Sequence, residues 1–444
     1  MVAYLRTDAY PTAVHVVPAR PAYAPAMTSG RLLAATAELA VRLDRLRPGL
    51  LDGPVPDRAL ARRVGAEPLA DPQDLVAVAT RLGRETTGSG LPPARRRYLA
   101  ALQGALLRQA RTLAGDRPGY LDEVRETFGV VPRRTGTDGY AAVHDRLREL
   151  LPGRGPLAAR MRAYREADVV APDRLGPAVT AVTAELRRRT REVIGLPRDE
   201  HLDVEIVGDR PWTAFTRYRG GFRSRVAVST AARVRGGALL PLLAHETYPG
   251  HHTQYCRAEA AADRVPELGL RLVHSPQGVI AEGAAEAAVS VVPGPGWGAV
   301  AQEVLAGAGV RIDGEPAERI ERELDLLGRV RQDAALLRHV DGAGPDEVVA
   351  YLGRWLLVGE HRARRMLAFL DHPQWRGYPV TYAEGAPLVR DWLAGYPRGA
   401  VTGLGVLLDA PVLPADLVTE GAGAERGHGD PDPSPSAELL RSPY

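Results

Sequence analysis

The sequence of 444 residues contains a single cysteine, Cys256, and neither lysine nor asparagine. One thiol excludes an intrachain disulfide and a thiolate zinc cluster, and it fits a reducing compartment. Without lysine there is no Schiff-base chemistry and no phosphate-binding lysine of a P-loop. All 57 basic residues are arginines, set against 54 acids for a net charge of +3. Nucleic-acid and membrane-surface binders carry a clustered basic excess that this balance lacks, so neither partner is expected. Long apolar runs are also missing. The longest uncharged stretch, 287–302, is interrupted by Pro293 and Pro295, and it is shorter than the ~20 residues that span a bilayer. Residues 1–30 are broken by Asp8, Pro11, His15, Pro18, Arg20, Pro21 and Pro25, without the apolar centre of a signal peptide. These absences predict a soluble, cytoplasmic protein.

Apolar residues make up 45% and charged residues 25%, the composition of a globular chain with material for a sizeable core. From Arg31 to Ile194 the apolar positions recur with helical spacing, notably over 96–114, 140–151 and 175–194, and Pro/Gly pairs such as Pro92-Pro93 and Pro152-Gly153 separate the runs. The period changes to two over His201–Val207 and Arg225–Thr230, as in half-buried strands. Helical spacing returns over 237–291, 315–339, 345–370 and 384–394. The fold class predicted is mainly α with a small β-sheet. Its parts are an irregular segment 1–30, a helical part 31–195, a chemistry-bearing part 196–420 and a disordered tail 421–444 rich in Gly, Pro and Ser.

Three of the eleven histidines fall in the segment His245-Glu246-Thr247-Tyr248-Pro249-Gly250-His251-His252. In the H-E-x-x-H pattern, two histidines one helical turn apart bind zinc and the intervening Glu is a general base. Pro249 occupies the place of the second histidine, so the regular pattern fails. On a straight helix His252 lies ~10.5 Å along the axis from His245, and His251 is turned off its face. Pro249 cannot donate to the carbonyl of His245, and Gly250 tolerates unusual backbone angles. A local bulge or kink between Glu246 and His251 is expected, able to bring His251 back beside His245, with His252 as the alternative. The third ligand of a catalytic zinc is expected from Glu282, a carboxylate in the apolar stretch Gly278–Glu286 that needs a compensating charge. Glu286, one turn further, is a candidate acceptor for a ligand histidine's N–H.

These residues resemble domain-of-unknown-function family 885, bacterial relatives of the zincin metallopeptidases that carry H-E-x-x-P-G-H-H followed by E-G. His245, Glu246, Pro249, Gly250, His251, His252, Glu282 and Gly283 stand at those positions. The segment Trp375–Gly385 looks like the family's W-P-G-Q-A-x-S-Y-x-x-G, with Arg376 and Tyr378 where Pro and Gln are usual, and Ala284 stands where E-G-W has Trp. The resemblance covers roughly residues 200–400. It implies a helical zincin-like fold, Zn2+ held by His245, His251 and Glu282, and Glu246 as base.

A bound zinc acidifies water and polarises a carbonyl, which makes a hydrolase of an amide or peptide-like bond the expected function, with a small-molecule or peptide-like substrate. Tyr382 is the expected donor to the developing oxyanion, with His339 second. The strand Arg225–Thr230 is expected to offer an edge to an extended substrate, and Tyr218 with Arg219 to contact a substrate carboxylate. The departure at Ala284 motivates a rival: an enzyme of specialised metabolism using the same metal for a non-peptidase reaction. A catalytically silent binding protein is the second rival. His274, His361 and His372 join no constellation, the run His361–Arg365 reads as a solvated helix face, and Cys256 as a packing residue. The patterns leave the oligomeric state open.

Overall fold

The computed structural model describes residues 27–423, except 209 and 211. The calls on residues 1–26 and 424–444 lie outside these; within them, helix already begins at Met27 and still runs at Gly423. The architecture is mainly α with one small sheet, as the periodicities predict. The helices of the first part are α1 (Met27–Leu46), α2 (Arg58–Ala66), α3 (Pro72–Thr87), α4 (Pro93–Leu113), α5 (Tyr120–Phe128), α6 (Thr137–Leu150), α7 (Leu157–Ala167) and α8 (Pro172–Val193). Several start as local chemistry dictates: Asp57 and Asp71 accept from the backbone N–H of Leu60 and Gln73 at the first turns of α2 and α3.

The sheet follows, with β1 (His201–Val207), β2 (Ala214–Tyr218) and β3 (Arg223–Ser229) in the order β1-β3-β2. β3 pairs parallel with β1 and antiparallel with β2. It is therefore the central strand, and the expectation that it offers an edge to substrate is overturned, because both rows of its backbone groups are already bonded. Alternation turns Ala214, Thr216 and Tyr218 of β2, and Ser224, Val226 and Val228 of β3, to the buried face.

The second part continues with α9 (Gly236–Glu246), α10 (His251–Ala261), α11 (Pro276–Val291), α12 (Trp297–Gly307), α13 (Gly314–Leu326), α14 (Val330–His339), α15 (Pro345–Leu356), α16 (Glu360–Asp371), α17 (Pro379–Ala383), α18 (Gly385–Gly395), α19 (Ala400–Asp409) and α20 (Pro414–Gly423). Leu99 and Leu102 of α4 pack with Ala258 of α10, and Val179 of α8 packs with Val226 of β3 and Leu243 of α9. Ile280 of α11 joins Val389 of α18 and Leu404 of α19, while Val279 joins Phe128 and Tyr378 in the largest cluster. Each such large apolar side chain contributes roughly 1.5–3 kcal/mol by leaving water. Helices α9, α10 and α11 stand where these clusters meet, so side chains from all three reach one buried place.

Candidate metal centre

The helix carrying His245 breaks completely, where a local bulge or kink between Glu246 and His251 was expected. α9 ends at Glu246, the Tyr248–Pro249 peptide is cis, and a new helix starts at His251. The N–H of Gly250 donates 2.8 Å to the carbonyl of Ala244, folding the chain back against α9. A Cβ on residue 250 would lie 1.9 Å from the carbonyl oxygen of His245, so only glycine fits this return. The ring of His251 thereby meets that of His245, with their Nε2 atoms 3.1 Å apart.

Glu282, on α11, completes the group: its Oε2 lies 3.4 Å from Nε2 of His245 and 3.6 Å from Nε2 of His251. All three residues are buried. Three ligands bonded at ~2.0–2.1 Å to a tetrahedral zinc stand ~3.4 Å from one another, which these separations match. Among the described residues Oε2 of Glu282 has no hydrogen-bond partner, an orphan a cation would satisfy. Burial opposes charge on His251, but the Glu282 carboxylate outweighs it and lifts the pKa to about 10. Glu282 is held well below the usual carboxylate range: burial pushes it up, and the positive charges of His251 and His245 overcome that.

Surrounding groups orient the set. Nδ1 of His251 pairs with Oε1 of Gln254 at 3.0 Å, and Nδ1 of His245 lies 3.6 Å from Oε1 of Glu286. Tyr378 donates to Oε1 of Glu282 at 2.6 Å. Thr216, on the inner face of β2, lies 2.6 Å from Oε2 of Glu246, whose Oε1 is buried with no hydrogen-bond partner. Glu246 and His251 are close enough for the carboxylate to favour the charged imidazole. The ring of Tyr382 stacks near His245, 6.4 Å between centroids and 29° between planes.

Other expected site residues fall elsewhere. His252 points away from the group, its Nε2 3.1 Å from Oε2 of Glu200 and its Nδ1 2.7 Å from Oγ of Ser224, so it anchors α10 to the sheet. His339, at the end of α14, pairs with the carbonyl of Leu370 at 2.8 Å and stacks on Tyr120; its ring is used in packing and supplies no oxyanion donor. Tyr218 is buried and donates to Oε2 of Glu259 at 2.5 Å, because strand alternation turns it inward. Arg219 sits in the β2–β3 turn, its carbonyl accepting from Arg58 at 3.0 Å. Neither contacts the cluster. Sequence reasoning missed Thr216, Gln254 and Tyr378. The three-residue spacing from His251 to Gln254 was the one local signal, since it places both on one helix face.

No family model matches the chain, and no curated protein matches it. Two solved structures are similar to it. One is a candidate lipoprotein from Colwellia psychrerythraea, 14% identical, with a TM-score of 0.49 over 80% of this chain and 67% of the other. The second is a candidate lipoprotein of unknown function from Shewanella oneidensis, 16% identical, with a TM-score of 0.47 over 82% of this chain and 74% of the other. Both neighbours carry the description of a candidate lipoprotein, which runs against the cytoplasmic expectation, and that expectation is not kept. Among the described residues no helix is long and apolar enough to cross a membrane.

Proposed function

We propose that this chain is a zinc-dependent hydrolase acting on an amide or peptide-like bond. The observation that carries the reading is the 3.1–3.6 Å triangle of His245 Nε2, His251 Nε2 and Glu282 Oε2, next to a buried carboxylate, Glu246, with one oxygen unengaged. Its resemblance to family 885 agrees with this donor set. Zinc held by these three residues would supply Lewis acidity toward a carbonyl and acidify a water.

The chain's own residues do the rest. Glu246 takes up the water's proton through Oε1 and passes it to the leaving nitrogen, while Thr216 fixes Oε2 so that one oxygen alone faces the reaction. Tyr382, beside His245, donates to the substrate oxygen that gains charge. Gln254 and Glu286 hold the two imidazoles in orientation.

The test pairs metal analysis with turnover on amide, ester and peptide substrates, recording product masses. The native protein is expected to hold one zinc and add water to a substrate. Glu246→Gln should keep the zinc and lose ~100- to 10,000-fold in rate. A Glu246→Gln protein as active as the native one overturns the assignment of the base, and products that never contain added water overturn the hydrolase.

A further inference from the structure

A cavity of about 1030 Å³ opens beside His245, Glu286 and Tyr382, and its described lining includes nine arginines but four carboxylates. Three of those carboxylates are taken. Glu166 pairs with Arg233, Glu321 with Arg235 at 2.6 Å, and Asp325 with Arg390 at 2.5 Å. The fourth, Glu286, faces His245. Arg329 pairs with Glu384 outside the cavity lining, which leaves Arg162, Arg165, Arg331, Arg362 and Arg365 lining the cavity with no ion pair among the described residues.

Two further observations bear on these arginines. Nε of Arg331 is buried and has no hydrogen-bond partner among the described residues, an expensive state for a donor that keeps its proton. The guanidinium groups also crowd one another: partial loss of water at the cavity mouth, then the charges of Arg331, Arg235 and Arg365, push the pKa of Arg362 down to about 10, while its side chain stays in contact with solvent. Arg331 in turn is within range of the charges of Tyr382 and Glu286, and it lines the same cavity as His245 and Arg362. The run His361–Arg365 is solvent-exposed at His361, Arg362, Arg364 and Arg365, as expected, and part of that exposed face borders the cavity. Arg364 faces outward and pairs with Glu360 and Asp346, while Arg362 and Arg365, three residues apart, share the cavity side.

We infer that this cavity receives an oxyanion of the substrate, a carboxylate or phosphate gripped by Arg331 and Arg362, while the bond to be broken lies at His245 and Tyr382. Planar guanidinium forks suit such groups bidentately. The missing negative charge is then supplied by the substrate. The inference rests on the hydrolase reading for the identity of the anion as substrate, and it moves the contact once expected from Arg219 to a different wall of the protein.

The experiment uses the full chain, stripped of metal and separately loaded with zinc, and titrates it calorimetrically with succinate, with its neutral analogue succinamide and with inorganic phosphate. Binding of succinate or phosphate in the metal-free protein, absent for succinamide, is expected to weaken at least tenfold in Arg331→Gln and in Arg362→Gln and to stay unchanged in Arg364→Gln. The tighter of the two anions identifies the group as carboxylate or phosphate. Equal binding by native protein and both variants, or no anion binding at millimolar concentration, overturns the inference. Should Arg331→Gln fail to fold, Arg362→Gln alone decides. Because binding is read without metal, an anion site in a chain that takes up no zinc supports the site and sinks the hydrolase. Zinc-dependent turnover without an anion site does the reverse.

Discussion

Tyr378 sets its hydroxyl 2.6 Å from Oε1 of Glu282, a residue 96 positions earlier in the chain. The bond leaves Oε2 directed at the two histidines and fixes which carboxylate oxygen faces a cation. Tyr378→Phe keeps the ring packed against Phe128 and Trp375 but removes the donor. Loss of such an outer partner typically costs ~10- to 100-fold in metal affinity. Competition against a chromophoric chelator should show that loss with an unchanged circular dichroism spectrum; unchanged affinity would show that Glu282 needs no such orientation.

The two adjacent histidines should separate cleanly on substitution. His251→Ala is expected to abolish zinc retention after gel filtration. His252→Ala should retain zinc yet unfold at lower denaturant, because it strips Glu200 and Ser224 of a buried partner, at a cost of ~1–3 kcal/mol. Loss of zinc from both variants alike would contradict the division of roles.

Gly283 lets α11 approach α18. A Cβ there would lie 2.5 Å from the backbone oxygen of Gly385, so Gly283→Ala must push the helices apart. A strain of ~1–3 kcal/mol is expected in urea unfolding, together with weaker zinc binding, since Glu282 moves with its neighbour. An alanine variant with native stability would mean that the two helices yield freely.

His274 lies buried among Phe128, Trp375 and Tyr378, and its Nε2 has no hydrogen-bond partner. Burial, and then the charges of Arg47 and His372, press its pKa from 6.5 down to about 3. The folded ring stays neutral while the unfolded one protonates first as the pH falls. Its contribution is thus complete above pH 6.5 and declines steadily between 6.5 and 3. At 1.36 kcal/mol per unit, His274→Phe should lose about 2 kcal/mol less stability than native protein between pH 6.5 and pH 5. Denaturant melts at the two pH values decide this, and equal losses would refute it.

The sequence by itself determined what depends on neighbours along the chain. Apolar spacing fixed the helices, alternation marked β1 over His201–Val207 and β3 nearby, and Pro249-Gly250 predicted a bulge or kink between Glu246 and His251, where the structure has a full break. β2 escaped notice because Ala214–Tyr218 is short and carries an arginine, and its existence depends on β3 being there to pair with. The run His361–Arg365 likewise read as a solvated helix face, without revealing that Arg362 and Arg365 border a cavity.

The tertiary structure alone decided which groups meet. His251 joins His245 and Glu282, while His252, next to it in sequence, turns toward Glu200 and the sheet. Adjacent residues on a helix point about 100° apart, so the choice between them belongs to the packing on either side of α10. Tyr378, Thr216 and Arg331 reach the same neighbourhood from distant segments for the same reason: local sequence sets the direction of a side chain within its own helix or strand, and the burial of apolar faces between those elements sets what stands opposite it.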